Sequence, residues 1–492
     1  MPESQPHGRL IVASNRIPVT LRHGEDGWSA EPSVGGLVTA LAPVLRACGG
    51  VWVGWHGAVA EEGGAQISSL AGMLDVGFTL APLALTAAQR DAFYLGFANE
   101  TIWPLFHDLQ ARCTFAPAYW DAYRAVNHAF AAALAYHARP KDTIWVHDYH
   151  LMHVAHELRA GGAAAAVFFL HIPFPPPDIF LKLPWRAEVL RALLAYDRLG
   201  FQTRRDLRNF LQCVRTLLPD AALRSAPGGA TVRLEGRTVH AGSYPIGIDA
   251  RAFAGQASAP EVRARAEALR AAYAPGRIML GVDRLDYTKG IVERLGAFRY
   301  ALAHYPELHE RLTFVQLVVP SRTDIPAYAE LKAHIERLVS EINGQYSRPG
   351  WVPVHYLFRM LPLEELLAYY QAADIALITP LKDGMNLVAK EYAVCNRGDG
   401  ALVLSEFAGA AAQLGRWALL VNPYDVVGCA VAIQRAFALE AQERRARIAA
   451  IRRVVAAQDV YWWVDTVLHG GETPPLRLVP PPTPRKPGVQ AA

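Results

Sequence analysis

The sequence predicts an α/β protein built from two halves, each with a parallel β-sheet covered by helices. Three observations lead to this fold class. Short apolar runs, each followed by a turn and then by a helical pattern, recur along the chain, as expected of βαβ units. The 492 residues exceed what one hydrophobic core usually supports. The composition, 52% hydrophobic and 19% charged, is that of a folded globular protein.

The first half contains three candidate strands and two candidate helices. β-Branched and aromatic residues are frequent in the apolar runs at 10–14, 143–147 and 166–171, which favours strands. Helical patterns follow at 37–46 and 119–136. This order of elements predicts βαβ units in the first half.

The second half repeats the alternation after a charged segment at 249–275, where we place the domain boundary. The predicted domains are 1–255 and 256–458. From 471 to 492 the chain is rich in proline, which predicts a loose tail. The candidate elements of the second half are strands at 277–282, 312–319, 375–379 and 401–405, and helices at 291–303, 326–342 and 363–372.

Net charge, cysteine usage and hydropathy argue against several classes of protein. A net charge of +4 without dense Lys or Arg stripes argues against a nucleic-acid-binding protein. The five cysteines are scattered singly, which predicts reduced thiols in a cytoplasmic protein. The N-terminus lacks an apolar signal core, and no uncharged apolar run reaches membrane-spanning length. Neither secretion nor membrane association is therefore expected.

Ionisable residues follow most of the predicted strands. Open parallel sheets bind ligands outside the carboxyl ends of their strands, so the loops there are candidate sites. Arg16, Asp148, His171, Arg284 and Arg322 occupy such positions. Because helix capping alone explains this pattern poorly, the sequence predicts a ligand-binding cleft at the strand ends.

The most informative stretch is 379–392, TPLKDGMNLVAKEY. Asp383 is a candidate helix cap, and Gly384 lets the backbone approach a ligand closely. A helix that begins there would direct its free N–H groups at a phosphate, and Glu391 could reach a ribose hydroxyl on the same ligand. The alternative is that Asp383 only caps the helix and Glu391 is a solvated helix residue.

Arg284 and Lys289 form a candidate diphosphate site. They lie five residues apart across a turn that ends in glycine, so both cations can face one ligand. Both would interact more strongly as negative charge accumulates on a departing nucleotide diphosphate. The alternative is a solvated turn without a ligand.

A second cation set suits a phosphate monoester on a sugar. Arg16 and Arg322 offer guanidinium groups for the phosphate, while Tyr94 and Trp103 offer aromatic faces for the ring. The alternative is a core aromatic cluster beside unrelated arginines.

Two weaker signals complete the candidate site. Gly35 and Gly36 open a helix and could bring backbone N–H groups to a phosphate, although paired glycines often form only a turn. His171 could contact a sugar hydroxyl, although a lone histidine in this position is more often a satisfied core residue.

The chain lacks the motifs of several enzyme classes. No GxGxxG loop follows the first strand, which argues against a nicotinamide or flavin enzyme. No GxSxG, Walker A, kinase or phosphatase motif is present. The run HDYH at 147–150 has no accompanying Cys or Glu-x-x-His spacing, so neither a structural nor a catalytic metal is predicted.

A series of ordered motifs between about residue 9 and residue 468 resembles one family. The motifs are VASNRIP, SVGGLVTAL, VWVGWHG, IWPLFH, VHDYHL, FFLHIPFP, YPIGID, RLDYTKG, PSR, GWVPVHYL, TPLKDGMNLVAKEY, LSEFAGAA and NPYD. With them the chain closely resembles the trehalose-6-phosphate synthases, the retaining glycosyltransferases of family GT20. The resemblance implies a GT-B fold, in which two Rossmann-like domains face each other across a cleft and a C-terminal helix, here 459–470, crosses back to the first domain.

The resemblance also implies which residues form the two substrate sites. In the acceptor site, Arg16, Tyr94 and Arg322 hold the phosphate. The full acceptor set is Arg16, Trp55, Tyr94, Trp103, Asp148 and Arg322. The donor set is Gly35, Gly36, His171, Arg284, Lys289, Asp383, Gly384, Met385, Asn386, Leu387, Val388 and Glu391. Catalytic roles are implied for Asp148, His171, Arg284, Lys289 and Asp383.

The reaction implied by the resemblance is glucosyl transfer from UDP-glucose to the anomeric hydroxyl of glucose 6-phosphate. The products are α,α-trehalose 6-phosphate and UDP. Transfer on one face retains the donor configuration, with the leaving phosphate oxygen taking the acceptor proton. No cofactor or metal is implied. The expected partners are these small-molecule substrates, with a separate phosphatase acting downstream, and a homo-oligomer is left open.

Two alternatives stay open at this point. One is a sister enzyme that uses glycerol 3-phosphate or joins cyclitols, and the other is a non-catalytic sugar-phosphate sensor. Retention of the acceptor set favours glucose 6-phosphate, and the intact donor set argues against a sensor. The donor nucleobase is left open among UDP, GDP and ADP. The stretches at 22–34 and 219–240 differ from the compact bacterial synthases.

Overall fold

The computed structural model confirms the α/β class. It describes residues 8–24, 27–32, 36–62, 76–159, 165–321 and 325–470. Gly35 and Arg322 of the candidate site, and the predicted tail at 471–492, lie outside these residues. No described helix combines the length and the apolar character that crossing a bilayer requires.

The strands of the first half are apolar on both faces where they lie centrally in the sheet, as expected of parallel strands covered by helices. Apart from the β2–β3 hairpin, they form one sheet. Their bounds are β1 Leu10–Arg16, β2 Val19–Gly24, β3 Gly27–Pro32, β4 Val51–Val59, β5 Thr79–Leu85, β6 Thr143–His147, β7 Ala165–Phe169, β8 Arg198–Phe201, β9 Ala222–Ala226, β10 Gly229–Leu234 and β11 Arg237–Ser243.

The first sheet has the order β5-β4-β1-β6-β7-β8-β11-β10-β9. All neighbours from β5 to β11 are parallel, and Ile11 of β1 pairs with Val51 on one side and Ile144 on the other. The last two strands are antiparallel because Gly228 and Gly236 adopt positive φ angles in the tight turns between β9, β10 and β11.

The second sheet is entirely parallel, in the order β14-β13-β12-β15-β16-β17. Each connection between its strands is therefore a crossover, and each contains a helix. The bounds are β12 Arg277–Arg284, β13 Leu312–Val319, β14 Val354–Phe358, β15 Ile375–Ile378, β16 Ala401–Ser405 and β17 Leu419–Val421.

Helices cover both sheets, and several begin with proline, which is suited to the first helical turn because its missing N–H has no partner there. A further helix, Arg90–Ile102, has π-helical hydrogen bonding. The α-helices are Gly36–Cys48, Ala87–Gln89, Trp103–Phe106, Pro117–His137, Val154–Arg159, Pro177–Phe180, Arg186–Leu193, Arg204–Leu217, Ala250–Ala257, Pro260–Tyr273, Ile291–His304, Pro326–Tyr346, Leu363–Ala372, Leu387–Cys395, Ala411–Leu414, Val426–Ala438, Ala441–Ala457 and Val460–His469.

The elements predicted from the sequence are present. The strands at 143–147, 312–319 and 401–405 and the helix at 363–372 have the predicted ends, and the other elements have shifted ends. The strand predicted at 166–171 ends at Phe169, so His171 lies two residues beyond it. The strand predicted at 277–282 extends to Arg284, which is therefore its last residue and not part of the following turn. In both cases the ladder hydrogen bonds with the neighbouring strand decide where the strand ends.

One cluster of buried residues is continuous across both halves. It contains Trp145 and Phe169 of the first sheet, Leu280 of the second, and Trp463 of the helix Val460–His469. The ring of Trp463 lies 4.9 Å from that of Trp145 and 5.0 Å from that of Phe169. The C-terminal helix thus packs against the first sheet and connects the two halves at the base of the interface between them.

Candidate functional site

The two halves meet at the loop after β15. A Cβ atom on Gly384 would lie 2.0 Å from the carbonyl oxygen of His171, so only glycine permits this approach. On the same loop, the Lys382 ammonium forms an ion pair with the Asp108 carboxylate of the first half. The carboxyl end of β15 therefore faces the carboxyl end of β7, which is where parallel sheets bind ligands.

Lys289 and Asp383 form a buried ion pair in this interface. Lys289 Nζ lies 2.6 Å from Asp383 Oδ2, and both side chains are more than four-fifths buried. Burial alone would raise the pKa of Asp383, but the Lys289 ammonium outweighs it and lowers the pKa below its usual value. The carboxylate is therefore charged and can accept a hydrogen bond from a ligand.

Arg284 lies at the end of β12, five residues before Lys289. Its side chain is exposed and makes no ion pair with any residue in the described part of the chain. An exposed guanidinium at a strand end, near a second cation, is suited to an anionic ligand.

A buried network that the sequence analysis missed holds the Lys289 turn. The Arg294 guanidinium donates to Lys289 O at 3.1 Å, Thr379 Oγ1 at 3.0 Å and Gln316 Oε1 at 3.0 Å, and pairs with the Asp283 carboxylate. Arg294 is 2% exposed. The sequence does contain a signal for this network, because Arg294 lies on the apolar face of the helix Ile291–His304. A buried charge needs hydrogen-bond or ion-pair partners, so an arginine in that position predicts a polar network around it.

The predicted helix cap is wrong by three residues. The helix spans Leu387–Cys395, and its cap is Asn386, with φ of 79° and a side chain that accepts from Ala389 N. Asp383 cannot act as the cap because its carboxylate is bound by Lys289 and by Asn386 Nδ2 at 3.3 Å. The helix therefore does not start at Gly384.

The segment from Gly384 to Val388 nevertheless presents backbone groups to the interface. Gly409 N donates to Asp383 O at 3.0 Å, and Ala410 N donates to Met385 O at 2.7 Å. These bonds hold the loop after β15 against the segment that follows β16. Asn386 caps only Ala389 N, so the N–H groups of Leu387 and Val388 have no intrahelical partner.

Glu391 lies four residues into this helix and is half-buried. Tyr370 Oη donates to its Oε2 at 2.9 Å, and burial raises the pKa of the carboxyl. In the first half, Gly36 of the predicted donor set is the first residue of the helix Gly36–Cys48.

His171 and Asp148 lie at the carboxyl ends of adjacent strands. His171 Nε2 lies 3.1 Å from His147 Nδ1, and burial lowers the pKa of His171 to about 3, so its ring is neutral. Asp148 Oδ1 accepts from His171 N at 3.2 Å. The φ of Asp148 is 74°, a costly conformation for this residue type. Such strain is typical of a position fixed for function.

Three of the predicted acceptor residues, Arg16, Trp55 and Tyr94, lie together. The Arg16 guanidinium lies 4.0 Å from the centre of the Trp55 ring and 5.8 Å from that of Tyr94. Tyr94 also stacks on His150, with 6.0 Å between ring centres. Trp55 is itself buried and donates to Ala58 O at 2.7 Å. Arg16 and Tyr94 can thus face one ligand, with Trp55 beneath them.

Trp103 is connected to Tyr94 through the rings of Tyr149 and His150. Its side chain is 5% exposed and packs on His107 at 4.2 Å and Tyr149 at 5.7 Å between ring centres. Trp103 directly follows the π-helix Arg90–Ile102, which contains Tyr94. π-Helical turns are rare and frequently mark functional sites.

Comparison with known proteins identifies the family. The model of glycosyltransferase family 20 matches residues 8–470. The chain belongs to this family. It is 43% identical to the trehalose-6-phosphate synthase of Mycobacterium avium (strain 104). The alignment extends over 470 residues and covers 93% of this chain and 94% of that relative. It is 42% identical over 478 residues to the enzyme of Mycobacterium leprae (strain TN), which covers 95% of each chain.

Solved structures of family members have the same fold. An α,α-trehalose-phosphate synthase (UDP-forming) from Burkholderia xenovorans, in complex with glucose-6-phosphate, superimposes with a TM-score of 0.85 at 36% identity, covering 94% of this chain and 99% of that one. An E. coli structure with UDP-2-fluoro glucose bound gives a TM-score of 0.84 at 35% identity, covering 94% and 98%. The fold is therefore GT-B, as the sequence resemblance predicted.

Proposed function

We propose that this chain is a UDP-forming α,α-trehalose-phosphate synthase, which transfers glucose from UDP-glucose to glucose 6-phosphate. One observation carries the proposal. In a family 20 chain that is 43% identical to a trehalose-6-phosphate synthase, Lys289, Asp383, Gly384 and His171 come together where the two halves meet.

The donor would lie along the loop after β15. Arg284 and Lys289 bind its diphosphate, and the N–H groups of Leu387 and Val388 add donors from the helix start. The Asp383 carboxylate accepts from a glucosyl hydroxyl, and neutral His171 contacts another. Glu391, further along the same helix, binds the ribose. Among these groups, Lys289, Asp383, His171 and Glu391 are each already in contact with a protein neighbour.

The chemical step exchanges one bond at the anomeric carbon for another. The bond from the glucosyl C1 to the β-phosphate oxygen breaks, and a bond to the acceptor hydroxyl oxygen forms on the same face. The acceptor proton passes to the departing phosphate oxygen, so no separate base is required. A two-step route would need a carboxylate nucleophile beneath C1. Asp383, bound to Lys289, is placed for hydrogen bonding instead.

The rate enhancement then comes from positioning and from charge stabilisation. Negative charge accumulates on UDP as the C1–O bond lengthens, so Arg284 and Lys289 interact more strongly in the transition state than in the ground state. The close approach of the two halves excludes water, which would otherwise hydrolyse the donor.

The acceptor would occupy the first half. Arg16 binds its 6-phosphate, Tyr94 donates to the same group, and Arg322 completes the set. Asp148 accepts from an acceptor hydroxyl and thereby orients the sugar. This arrangement needs a phosphate on the acceptor, because three of these four groups are phosphate ligands.

The proposed reaction uses no cofactor or metal, because Arg284 and Lys289 take the charge-stabilising role that Mg²⁺ can have at a departing phosphate. Cys113, Cys213, Cys395 and Cys429 are free thiols, which supports a reducing cytoplasmic location. The product is a phosphate ester, so release of the free disaccharide needs a separate phosphatase.

The experiment that tests the proposal is a substrate panel with product identification by NMR. UDP-, GDP- and ADP-glucose are each combined with glucose 6-phosphate, glycerol 3-phosphate and glucose. We expect α,α-trehalose 6-phosphate and stoichiometric UDP from the first donor and first acceptor. Product from glycerol 3-phosphate alone, or no UDP release with any acceptor, would contradict it.

A further inference from the structure

Four side chains on two neighbouring helices, or directly before one of them, form a histidine–glutamate cluster in the first half. His128 lies on the helix Pro117–His137, His153 directly precedes the helix Val154–Arg159, and His156 and Glu157 lie on that helix. His128 Nδ1 is 3.0 Å from Glu157 Oε2, and His153 Nδ1 is 3.4 Å from Glu157 Oε1. None of the four has a role in the proposed reaction.

The spacing within the cluster suits a single metal ion. One ligand atom each from His153, His156 and Glu157 lie within 4.8 Å of one another. Ligand atoms of a tetrahedral Zn²⁺ site, at about 2.1 Å from the ion, lie about 3.4 Å apart. Small side-chain rotations would therefore bring these three atoms onto one ion. His128 on the facing helix already contacts the same carboxylate, with its Nδ1 3.0 Å from Glu157 Oε2, and is the candidate fourth ligand.

The position of His153 supports a binding role over an ordinary surface network. The residue is 4% exposed, and its Nδ1 makes no hydrogen bond of acceptable geometry, although it contacts Glu157. Its backbone N donates to Asn127 Oδ1 at 3.1 Å, and its ring packs edge-on against Trp120. A buried ring nitrogen that is fixed in place without a hydrogen bond is costly unless a ligand satisfies it.

The ligand types select the class of ion. Imidazole nitrogens with one carboxylate suit Zn²⁺ and neighbouring transition metals, whereas Mg²⁺ and Ca²⁺ prefer oxygen ligands alone. Arg124 lies near His153 and opposes a cation there, while the Glu157 carboxylate favours it. Three imidazoles and one carboxylate give four ligands, which is enough to close a structural zinc site.

We propose that His128, His153, His156 and Glu157 bind one divalent transition-metal ion of the Zn²⁺ class, which ties the helix Pro117–His137 to the helix Val154–Arg159. The metal is structural. It lies outside the substrate sites, but the second helix follows the turn Tyr149–Leu151, whose His150 stacks on Tyr94. Binding therefore also stabilises one wall of the acceptor site.

This proposal departs from the sequence-based expectation that no structural metal is present. That expectation was drawn from HDYH at 147–150, where the spacing of metal ligands is absent. The cluster begins three residues later and takes its fourth ligand from a helix more than twenty residues upstream, which local spacing does not reveal.

The test uses the full, untagged chain stripped with EDTA, with ZnCl2 as the ligand in isothermal titration. We expect one saturable site and a rise in Tm by several degrees. Co²⁺ in its place should give the visible absorption of a four-coordinate site. His128→Ala and His156→Ala each remove one ligand. Both residues are exposed, so the core stays intact. Each variant should bind Zn²⁺ at least tenfold more weakly than the wild type.

The matched control is His304→Ala, which removes an exposed helical histidine of the second half. It should bind Zn²⁺ as the wild type does. Absence of binding by the wild type would overturn the proposal. So would equal binding by the wild type and the double variant His128→Ala/His156→Ala, since the ion would then occupy other histidines or thiols.

Discussion

Lys289 and Asp383 show at the residue scale how one pair can serve both structure and function. Each side chain is more than four-fifths buried, and the Lys289 ammonium, 2.6 Å from the Asp383 carboxylate, holds the pKa of Asp383 below its usual value. In the proposed reaction, a diphosphate that binds Lys289 would compete with Asp383 for the ammonium and free the carboxylate for a sugar hydroxyl. We propose that the pair thereby couples diphosphate binding to sugar binding.

Lys289→Ala should lower both turnover and stability. Loss of a preorganised cation at the leaving group should reduce kcat by about 100-fold to 1000-fold. The uncompensated Asp383 carboxylate should lower the free energy of unfolding by roughly 3 kcal/mol. UDP release and urea unfolding measure the two effects.

The control for this variant is Arg299→Ala, which breaks an exposed pair with Glu341. It should change stability by less than about 1 kcal/mol and leave kcat unchanged. If Lys289→Ala behaves like this control, the pair has no role in the donor site.

Lys390 predicts a pH dependence of stability. Burial lowers its pKa to about 7, and its Nζ donates to Ile246 O at 2.6 Å. Between about pH 7 and pH 10 the unfolded chain carries a proton on this lysine that the folded protein lacks, since the unperturbed pKa is about 10.4. Raising the pH through this range therefore stabilises the folded state, by up to about 1.4 kcal/mol per pH unit.

Lys390→Met should abolish this contribution. The difference in unfolding free energy between wild type and variant, measured by urea titration at several pH values, should shift in favour of the wild type as the pH rises from 7 to 10. A constant difference would show that Lys390 titrates alike in the folded and unfolded states.

At the element scale, the connection between β12 and the helix Ile291–His304 positions the cations. Gly290 has φ of 63°, and a Cβ atom there would lie 2.4 Å from Thr379 O. Arg294, on the first turn of that helix, binds the carbonyl of Lys289. The turn is therefore fixed on both sides, and a Lys289 side chain on it has little freedom.

Gly290→Ala should destabilise the protein and lower kcat, because the turn must shift away from Thr379 and take Lys289 with it. The control is Gly296→Ala in the same helix, where nothing lies within 4 Å of the added Cβ. That change should stabilise by up to about 1 kcal/mol. Thermal unfolding and UDP release check both variants, and equal Tm values would contradict the account.

The sequence predicted elements better than their contacts. Apolar runs identified β1, β6, β12 and β16 because burial in a parallel sheet imposes a continuous local signal. The cap at Asp383 was predicted wrongly because Lys289, 94 positions away, takes that carboxylate. Such long-range pairing leaves no local pattern.

The candidate site was predicted in the same uneven way. Residues at strand ends, such as Arg284 and His171, follow from topology, which sequence patterns reveal. The Arg294 network was missed because its four partners come from separate segments. Two site residues, Gly35 and Arg322, lie outside the described part of the chain and stay predictions.

At the scale of the whole molecule, the two halves are held together by a continuous core and by the pair Lys382–Asp108 at the interface. The core includes Trp463, whose helix packs on the first sheet. The ion pair lies beside the donor loop, and Lys382 is almost buried whereas Asp108 is half-exposed. This pair is suited to hold the loop against the first half without fixing the whole interface.

Asp108→Asn should therefore affect activity more than stability. Loss of the pair should lower kcat/KM several-fold, because the loop after β15 is then no longer held against the first half. A pair with one half-exposed partner should contribute about 1 kcal/mol or less to unfolding. Steady-state kinetics and thermal unfolding measure the two, and an unchanged kcat/KM would exclude a role in closure.

The turnover of Arg284→Ala tests the role of the cations at the strand ends, because this exposed side chain makes no ion pair with a described residue and its loss should leave the fold intact. With UDP-glucose and glucose 6-phosphate at saturation, we expect an unchanged Tm and a kcat reduced by about 100-fold or more. An unchanged kcat with the same Tm would show that Arg284 does not stabilise the departing UDP.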